Sequence, residues 1–428
     1  MKLWKNKGKS NIKVEDFTVG NDRDYDIILA KYDCIGSIAH AKMLKKIGLL
    51  SDSESNKIIK VLNQIKNQVE SNHLTIDKTF EDIHSKIEFI LIKELGDLGK
   101  KIHAGRSRND QVLVAMQLYL KDSLKEIKQL IVKLFNILLD LAKNNKNHLL
   151  PGYTHLQIAM PSSFGLWFSS YAEALIDDLI FINSAYKIAD QNPLGSAAGY
   201  GSSFPVDRNF TTKELKFNFL KINSISAQMS RGKLEKTTSI GLSLVASTLS
   251  KLSMDICLYM SENFKFISFP DNLTTGSSIM PHKKNPDIFE IIRGKCNLLQ
   301  GLPNQITLLI NNLPSGYHRE FQLSKAPLIN GINELKSCLD MMIYSIPKVR
   351  VSKNILENDK YDHIFSVETL NKNVINGKPF REAYNELTDQ INSKKYIPNK
   401  NIKHSHIGSI GNLSLDLIKE KFNHFLKA

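Results

Sequence analysis

The chain has 428 residues, 42% apolar and 23% charged, which fits a soluble globular protein with ample core; no internal repeat or low-complexity linker interrupts it. Lys and Arg number 57 against 43 Asp and Glu, a net charge of +14. The lysines are spread along the whole chain, which reads as a solvated basic surface, with no nucleic-acid partner expected.

The opening MKLWKNKGKSNIKVEDF lacks an apolar core of signal-peptide length. No run of about 18 apolar residues offers a membrane span. The four cysteines (Cys34, Cys257, Cys296, Cys338) form no C-x-x-C pair. Reduced thiols, a cytoplasmic location, no membrane partner and no metal site are the expectations.

The first domain, residues 1–105, reads as small and helical. Ser51-Asp-Ser-Glu54 ahead of IIKVLNQI is a capping-box signature that starts a short helix. Residues 109–150 contain neither Gly nor Pro, and Leu120, Leu124, Ile127, Ile131, Leu134, Leu138 and Leu141 recur at alternating spacings of four and three. A helix of ~35 residues spans ~50 Å, longer than most cores, so this seam should face other long helices. Residues 166–192 and 242–269, also free of Gly and Pro, read as such partners and imply a bundle over 106–350. Strands are hardly visible; ITLLINN near Ile306 is β-like in composition, but its setting favours helix. After Lys348 the segments shorten and turn polar, ending in HIGSIGN, and 351–428 reads as a third, small helical domain. The expected fold class is mainly α, three domains around a central bundle of long helices.

Polar segments gather at the ends of these helices, where a rigid scaffold presents donors and side chains. They are FEDIH (80–84), HAGRSRNDQ (103–111), PGYTHLQ (151–157), PLGSAAGYG (193–201) and GSSIMPHKKNP (276–286). In HAGRSRNDQ, guanidinium forks suit a carboxylate or phosphate; the bland alternative is Asn109 or Asp110 as N-cap beside solvated Arg. His155, read alone, is more often a satisfied hydrogen-bonding residue than a catalyst. PLGSAAGYG lacks the strand that a dinucleotide fingerprint needs and reads as a turn for close packing. Asn285-Pro286-Asp287 reads as a helix start, with Asn as N-cap and Pro at the first position. Its free N–H groups, with Lys283 and Lys284, favour an anion. The preceding Gly276-Ser277-Ser278 can move, so this is either a surface loop or one closing on a carboxylate-bearing substrate. His404-Ser-His406 reads as exposed tail rather than a ligand set.

GSSIMPHKKNP resembles the signature of the fumarase/aspartase superfamily, whose members eliminate fumarate from succinyl compounds. HAGRSRNDQV, EDIH, PGYTHLQ with Pro161, PLGSAAG and DYDIILAKYDCIGSIAHAKML (24–44) are similar to the argininosuccinate lyase family. The likeness runs from about residue 24 to 347 and returns at KPFREAY (378–384). It implies a fumarase/aspartase-like fold and cleavage of argininosuccinate to arginine and fumarate, with no cofactor. It makes Ser277 the base that removes the Cβ proton, Lys283 the cation that stabilises the aci-carboxylate, and His155, oriented by Glu290, the carrier of the proton to the leaving nitrogen. Arg108, Asn109 and Thr154 would hold the fumarate half and Asn285 would bind a substrate carboxylate; Asp26, Tyr317, Gln322 and Lys325 would hold the arginine half. It further implies a homotetramer with each active site shared between three subunits.

The chain departs from the family pattern at several places. Asp22 stands where Ser is common and Ile28 where Arg is common. EFQLSK (320–325) keeps Gln and Lys of the usual DLQEDK but loses two acids, and Arg231 keeps its place without acidic neighbours. The late T-D-L-A segment is not recognisable in HIFSVE (363–368). These changes bear on amino-acid-side contacts more than on elimination. One rival, a lyase of the adenylosuccinate type, is disfavoured by the Arg-Ser-Arg-Asn-Asp run and the Asp26 region. The other, a non-catalytic structural relative, is disfavoured because folding alone demands none of Ser277, His155, Lys283 and Glu290.

Overall fold

The computed structural model describes residues 12–402 and 404–427; most of the segment read for a signal peptide lies outside them. The described chain is mainly α, as expected. It forms two compact units, each discontinuous in sequence. The first comprises Met1–Lys128, Phe181–Leu244 and Leu299–Leu335, and the second Gln129–Ile180, Val245–Leu298 and Lys336–Ala428.

In the first unit the helices Asp22–Lys46, Asp52–Glu70 and Ile83–Leu95 close around Cys34, Met43, Leu44, Ile58, Leu62, Ile87 and Leu91. The expected capping box is present: Glu54 N–H donates to Ser51 Oγ (3.2 Å) and Ser51 N–H to Glu54 Oε2 (2.8 Å). ITLL falls in the helix Leu302–Ile310, so its setting prevailed over its composition.

The longest helix runs Arg108–Asn144, 37 residues. Leu120, Leu124, Ile127, Ile131, Leu134 and Leu138 are at most 1% exposed, and Leu141 is half-buried. The heptad-like seam therefore is a buried face. Three more long helices accompany it: Phe164–Ala189, Lys233–Met260 and Lys325–Ser345. All four contribute residues to both units. The third starts nine residues before the expected 242, because Gly241 does not end it: a Cβ there would press on Ile182 Cδ1 at 3.2 Å, so this Gly serves close packing.

In the second unit Leu149–Thr154 (β1) and Gln157–Ser163 (β2) form an antiparallel hairpin that the sequence reading did not anticipate. Its two-residue loop is His155-Leu156, both left-handed at φ 54° and 58°. Behind it Tyr153, Tyr259, Phe264 and Phe266 pack edge to face or tilted, and Asp255 accepts from Trp167 Nε1 (3.0 Å) and Tyr171 Oη (2.6 Å). One stretch among the described residues, Ser224–Met260, is long and apolar enough by length and composition to cross a membrane, where none was expected. Half of its most apolar window is buried in the protein and Gly232 turns the chain at φ 83°, features of a core helix.

Candidate active site

A cavity of about 520 Å³ lies in the first unit. The Asp22–Lys46 helix contributes Asp22 and Asp26, the EDIH segment Glu81, Asp82 and His84, and the mouth of the longest helix Arg106, Arg108 and Asn109. Arg231 and the stretch from Tyr317 through Arg319 and Gln322 to Lys325 complete it. Six of the twelve expected site residues thus meet here: Asp26, Arg108, Asn109, Tyr317, Gln322 and Lys325.

The local sequence explains how they are held. Ser107, not Asn109 or Asp110, caps the longest helix: its Oγ accepts from Asn109 N–H (3.3 Å), while Asp110 Oδ1 accepts from Ser107 N–H (2.9 Å). This reciprocal cap puts Arg108 and Asn109 in the first turn, at the cavity. The other Asp110 oxygen accepts from Gly195 N–H (2.9 Å) and Ala197 N–H (3.0 Å). The backbone donors of PLGSAAGYG thus close on the chain's own carboxylate.

Three of the cavity's cations, Arg108, Arg319 and Lys325, are already paired with carboxylates. Arg108 meets Glu81 (3.3 Å) and Asp82, and Arg319 meets Glu81 (3.0 Å). Lys325 Nζ lies 2.9 Å from Asp22 Oδ2 and 2.5 Å from Asp26 Oδ1, and all three side chains are buried. Asp26 Oδ2 accepts from Ile83 N–H (3.3 Å). Gln322 turns its amide nitrogen to the carbonyls of Thr18 (3.1 Å) and Val19 (3.2 Å), leaving only its oxygen for other partners. Beneath the cavity His84 Nδ1 lies 2.5 Å from Asp33 Oδ2. Ser37 donates to Asp33 (3.1 Å) and accepts from Arg106 (2.9 Å).

These contacts set the ionisation. Burial raises the Asp26 carboxyl, but Lys325 and His84 outweigh it and hold Asp26 below its ordinary value. Burial lowers His84, yet Asp33 overcomes this and raises it. Asp33 in turn is held low by His84 against its own burial. Asp22 goes the other way: burial, then the neighbouring Asp26, pushes its carboxyl up to about 6 against the pull of Lys325.

The other six expected residues lie in the second unit, in two groups. Thr154 and His155 sit exposed at the hairpin tip. Ser277, Lys283, Asn285 and Glu290 sit in and just after the loop of residues 276–284. Thr275 and Asn285 close that loop by a mutual backbone pair (2.8 and 3.3 Å), and Thr275 Oγ1 donates to Asp287. Asn285 therefore seals the loop's neck rather than capping the helix, which begins at Asp287. Ser277 Oγ accepts from Ile279 N–H (3.3 Å) and Met280 N–H (3.2 Å). Among the described residues no hydrogen bond joins the two groups, and His155 and Glu290 do not bond to each other. Among the described residues no cluster of three or more His, Cys, Asp or Glu side chains is placed to hold a metal. His404, read as tail, is instead bonded to Glu368 (2.8 Å).

Sequence reasoning had left Glu81, Asp82, His84, Arg106 and Arg319 out of the site. The charge density of EDIH and HAGRSRNDQ was the available signal for the first four; Arg319 had none.

A family model described as Lyase matches residues 5–301. Among solved structures the fold is similar to EDDS lyase in complex with formate, with TM-score 0.76 and 20% identity over 96% of this chain and 90% of that one. It is similar also to class II fumarase from Schistosoma mansoni, with TM-score 0.73 and 19% identity over 96% and 93%. These likenesses concern the fold, which is the helical fold of fumarate lyases. In sequence, the argininosuccinate lyase of Parabacteroides distasonis is 51% identical over 412 residues, 96% of this chain and 92% of its own length. That of Thermotoga neapolitana is 39% identical over 394 residues, 92% and 99%. The chain belongs to the argininosuccinate lyase family of the fumarase/aspartase superfamily, and is a carbon–nitrogen lyase.

Proposed function

We propose that this chain cleaves argininosuccinate to arginine and fumarate by reversible β-elimination, as a step of arginine biosynthesis. The observation that carries this reading is 51% identity over 412 residues with a curated argininosuccinate lyase. The Cβ proton beside the succinyl carboxylate is a poor acid, so its removal needs a base and a stabilised dianionic intermediate. Ser277 is that base. Two N–H groups aimed at its oxygen support this role, because such donors favour a deprotonated oxygen. Lys283, without an ion pair among the described residues, stabilises the aci-carboxylate. His155, oriented by Glu290, carries the proton to the leaving nitrogen. Arg108, Asn109 and Thr154 hold the fumarate half, Asn285 binds a substrate carboxylate, and Asp26, Tyr317, Gln322 and Lys325 hold the arginine half. No cofactor enters these steps.

The active unit of this proposal is a homotetramer with sites shared between subunits. In the second unit Ile291 (58% exposed) and Leu298 (82%) form an uncovered apolar stripe on the Asp287–Leu299 helix, and Met341 and Tyr344 are exposed on Lys325–Ser345. Such surface supports packing against further copies. Four free cysteines, three of them buried, support the cytoplasmic location.

The deciding assay mixes purified protein with argininosuccinate and follows fumarate by ultraviolet absorbance, with adenylosuccinate, aspartate and malate in parallel. Fumarate from argininosuccinate alone is expected. Fumarate from another substrate moves the protein within the superfamily, and none from any in a folded tetramer favours the non-catalytic relative.

A further inference from the structure

We propose that Glu81 is a displaceable internal ligand of the first unit's cavity: its carboxylate occupies Arg108 and Arg319 until a carboxylate of an entering dicarboxylate takes its place. The lyase reading enters only in naming that dicarboxylate, fumarate or the succinyl half of argininosuccinate.

The geometry around the two arginines carries the inference. Glu81 spans two guanidiniums, with Oε2 3.3 Å from Arg108 Nη1 and Oε1 3.0 Å from Arg319 Nη2, and all three side chains line the cavity. One oxygen on each of two cations is the arrangement that a ligand's carboxylate would make there. Arg108 turns its other terminal nitrogen to Asp82. Two guanidiniums and two carboxylates cancel, so the filled cluster offers little net charge to an anion. One of the two acids has to leave before a ligand can take a terminal nitrogen of Arg108.

The local structure decides which one. Asp82 is buried and caps the helix Ile83–Leu95: its Oδ1 accepts from Ser85 N–H (2.8 Å) and Ser85 Oγ (2.7 Å). Moving it would strip that cap and leave buried donors unsatisfied. Glu81 stands one residue before the cap and is half-buried, and among the described residues only the two guanidiniums hold its carboxylate. Its departure leaves neither arginine bare. Arg108 keeps Asp82, and the Arg319 nitrogen that met Glu81 also donates to the Thr18 carbonyl (3.2 Å). Glu81 is therefore the acid that yields, and by returning to the arginines it favours release of the product.

The test is calorimetric titration of the intact protein with fumarate and with succinate, for wild type, Glu81→Gln, Glu81→Ala and Asp24→Asn. Asp24, an exposed acid in the first turn of the Asp22–Lys46 helix and outside the cavity lining, controls for a change of net charge alone. Glu81→Gln should bind both dicarboxylates about 3- to 10-fold tighter, the worth of one half-buried ion pair no longer to be broken. Glu81→Ala, which removes the acceptor as well, should gain no less, and Asp24→Asn should bind as wild type does. KM for argininosuccinate should fall in both Glu81 variants by more than kcat changes. A variant that misfolds does not bind more tightly, and thermal melts verify folding. A gain in neither Glu81 variant, an equal gain in Asp24→Asn, or a wild type that binds neither dicarboxylate overturns the inference; weaker binding in both would make Glu81 a brace for the arginines instead. Fumarate release judges the lyase reading separately. If Glu81→Gln binds fumarate more tightly than a wild type that releases none from argininosuccinate, that reading alone fails.

Discussion

Removing the Ser277 hydroxyl takes away the proposed base but leaves its loop closed by Thr275 and Asn285. Ser277→Ala should lower kcat by at least ~10²-fold with an unchanged melting temperature; near-wild-type turnover would remove Ser277 from that role. Leu156 raises a question of stability instead. It is 77% exposed and left-handed at φ 58°, a conformation that costs an L-residue roughly 1–2 kcal/mol. Leu156→Gly should therefore stabilise the protein by about 1 kcal/mol, less what glycine adds to unfolded-chain entropy, as read by urea denaturation. The polar loop around Ser277 was legible in the sequence as an interruption of the helical pattern. The backbone state of His155 and Leu156 was not: Asn-Gly usually announces two left-handed residues in a hairpin, and His-Leu announces nothing. Gln322 was likewise legible as a polar site residue, but not that its amide nitrogen serves the carbonyls of Thr18 and Val19, some 300 positions away in the chain.

Elements were legible where a period survives without interruption. Six seam residues from Leu120 to Leu138 are buried because spacings of four and three keep them on one face. The β1–β2 hairpin escaped because Pro151, Gly152 and Pro161 break the strand signal, and a register shift between Pro151 and Tyr153 absorbs them. The helix Lys325–Ser345 escaped because Pro327 and Gly331 interrupt its pattern. Pro327 falls in the first turn, where a missing N–H costs little, and a Cβ at Gly331 would meet Leu302 Cδ2 at 2.7 Å. The Ser107 cap is the element-level device with a functional reading. Ser107→Ala should cost about 1 kcal/mol of stability, and because Arg108 and Asn109 occupy the turn it fixes, KM should rise as well. A stability loss with KM unchanged would mean that the cap does not set their positions.

At the scale of the whole molecule, stability should carry a pH signature from the buried His84–Asp33 pair. The folded state raises His84, so its contribution is complete below the ordinary value of 6.5 and fades as pH rises through the folded value. It lowers Asp33, so that contribution is complete above 3.8 and fades as pH falls through the folded value. Breaking a buried pair costs roughly 3–5 kcal/mol; the loss in His84→Gln should be largest between these pH values and shrink above them, measured by denaturant titration across pH. A pH-independent difference would assign His84 to packing alone. For the assembly, light scattering should give four copies of the 48.5 kDa chain; a monomer with full activity would refute shared sites. The bundle's existence was legible from its long helices, but the two-unit division was not, because each unit draws on three separated stretches of sequence.

That discontinuity bears on how the chain is made. The first unit takes its last segment from Leu299–Leu335, and the second ends with Lys336–Ala428. On a ribosome adding roughly 5–20 residues per second, the helices of the first hundred residues emerge early, but the first unit waits on the order of tens of seconds for its closing segment. Throughout that interval the apolar seam of the longest helix is out of the exit tunnel without its full set of partners, and a nascent chain stalled short of Leu335 completes neither unit. Chaperone occupancy on the translating chain should rise once the Arg108–Asn144 helix is exposed and fall only near the end of synthesis.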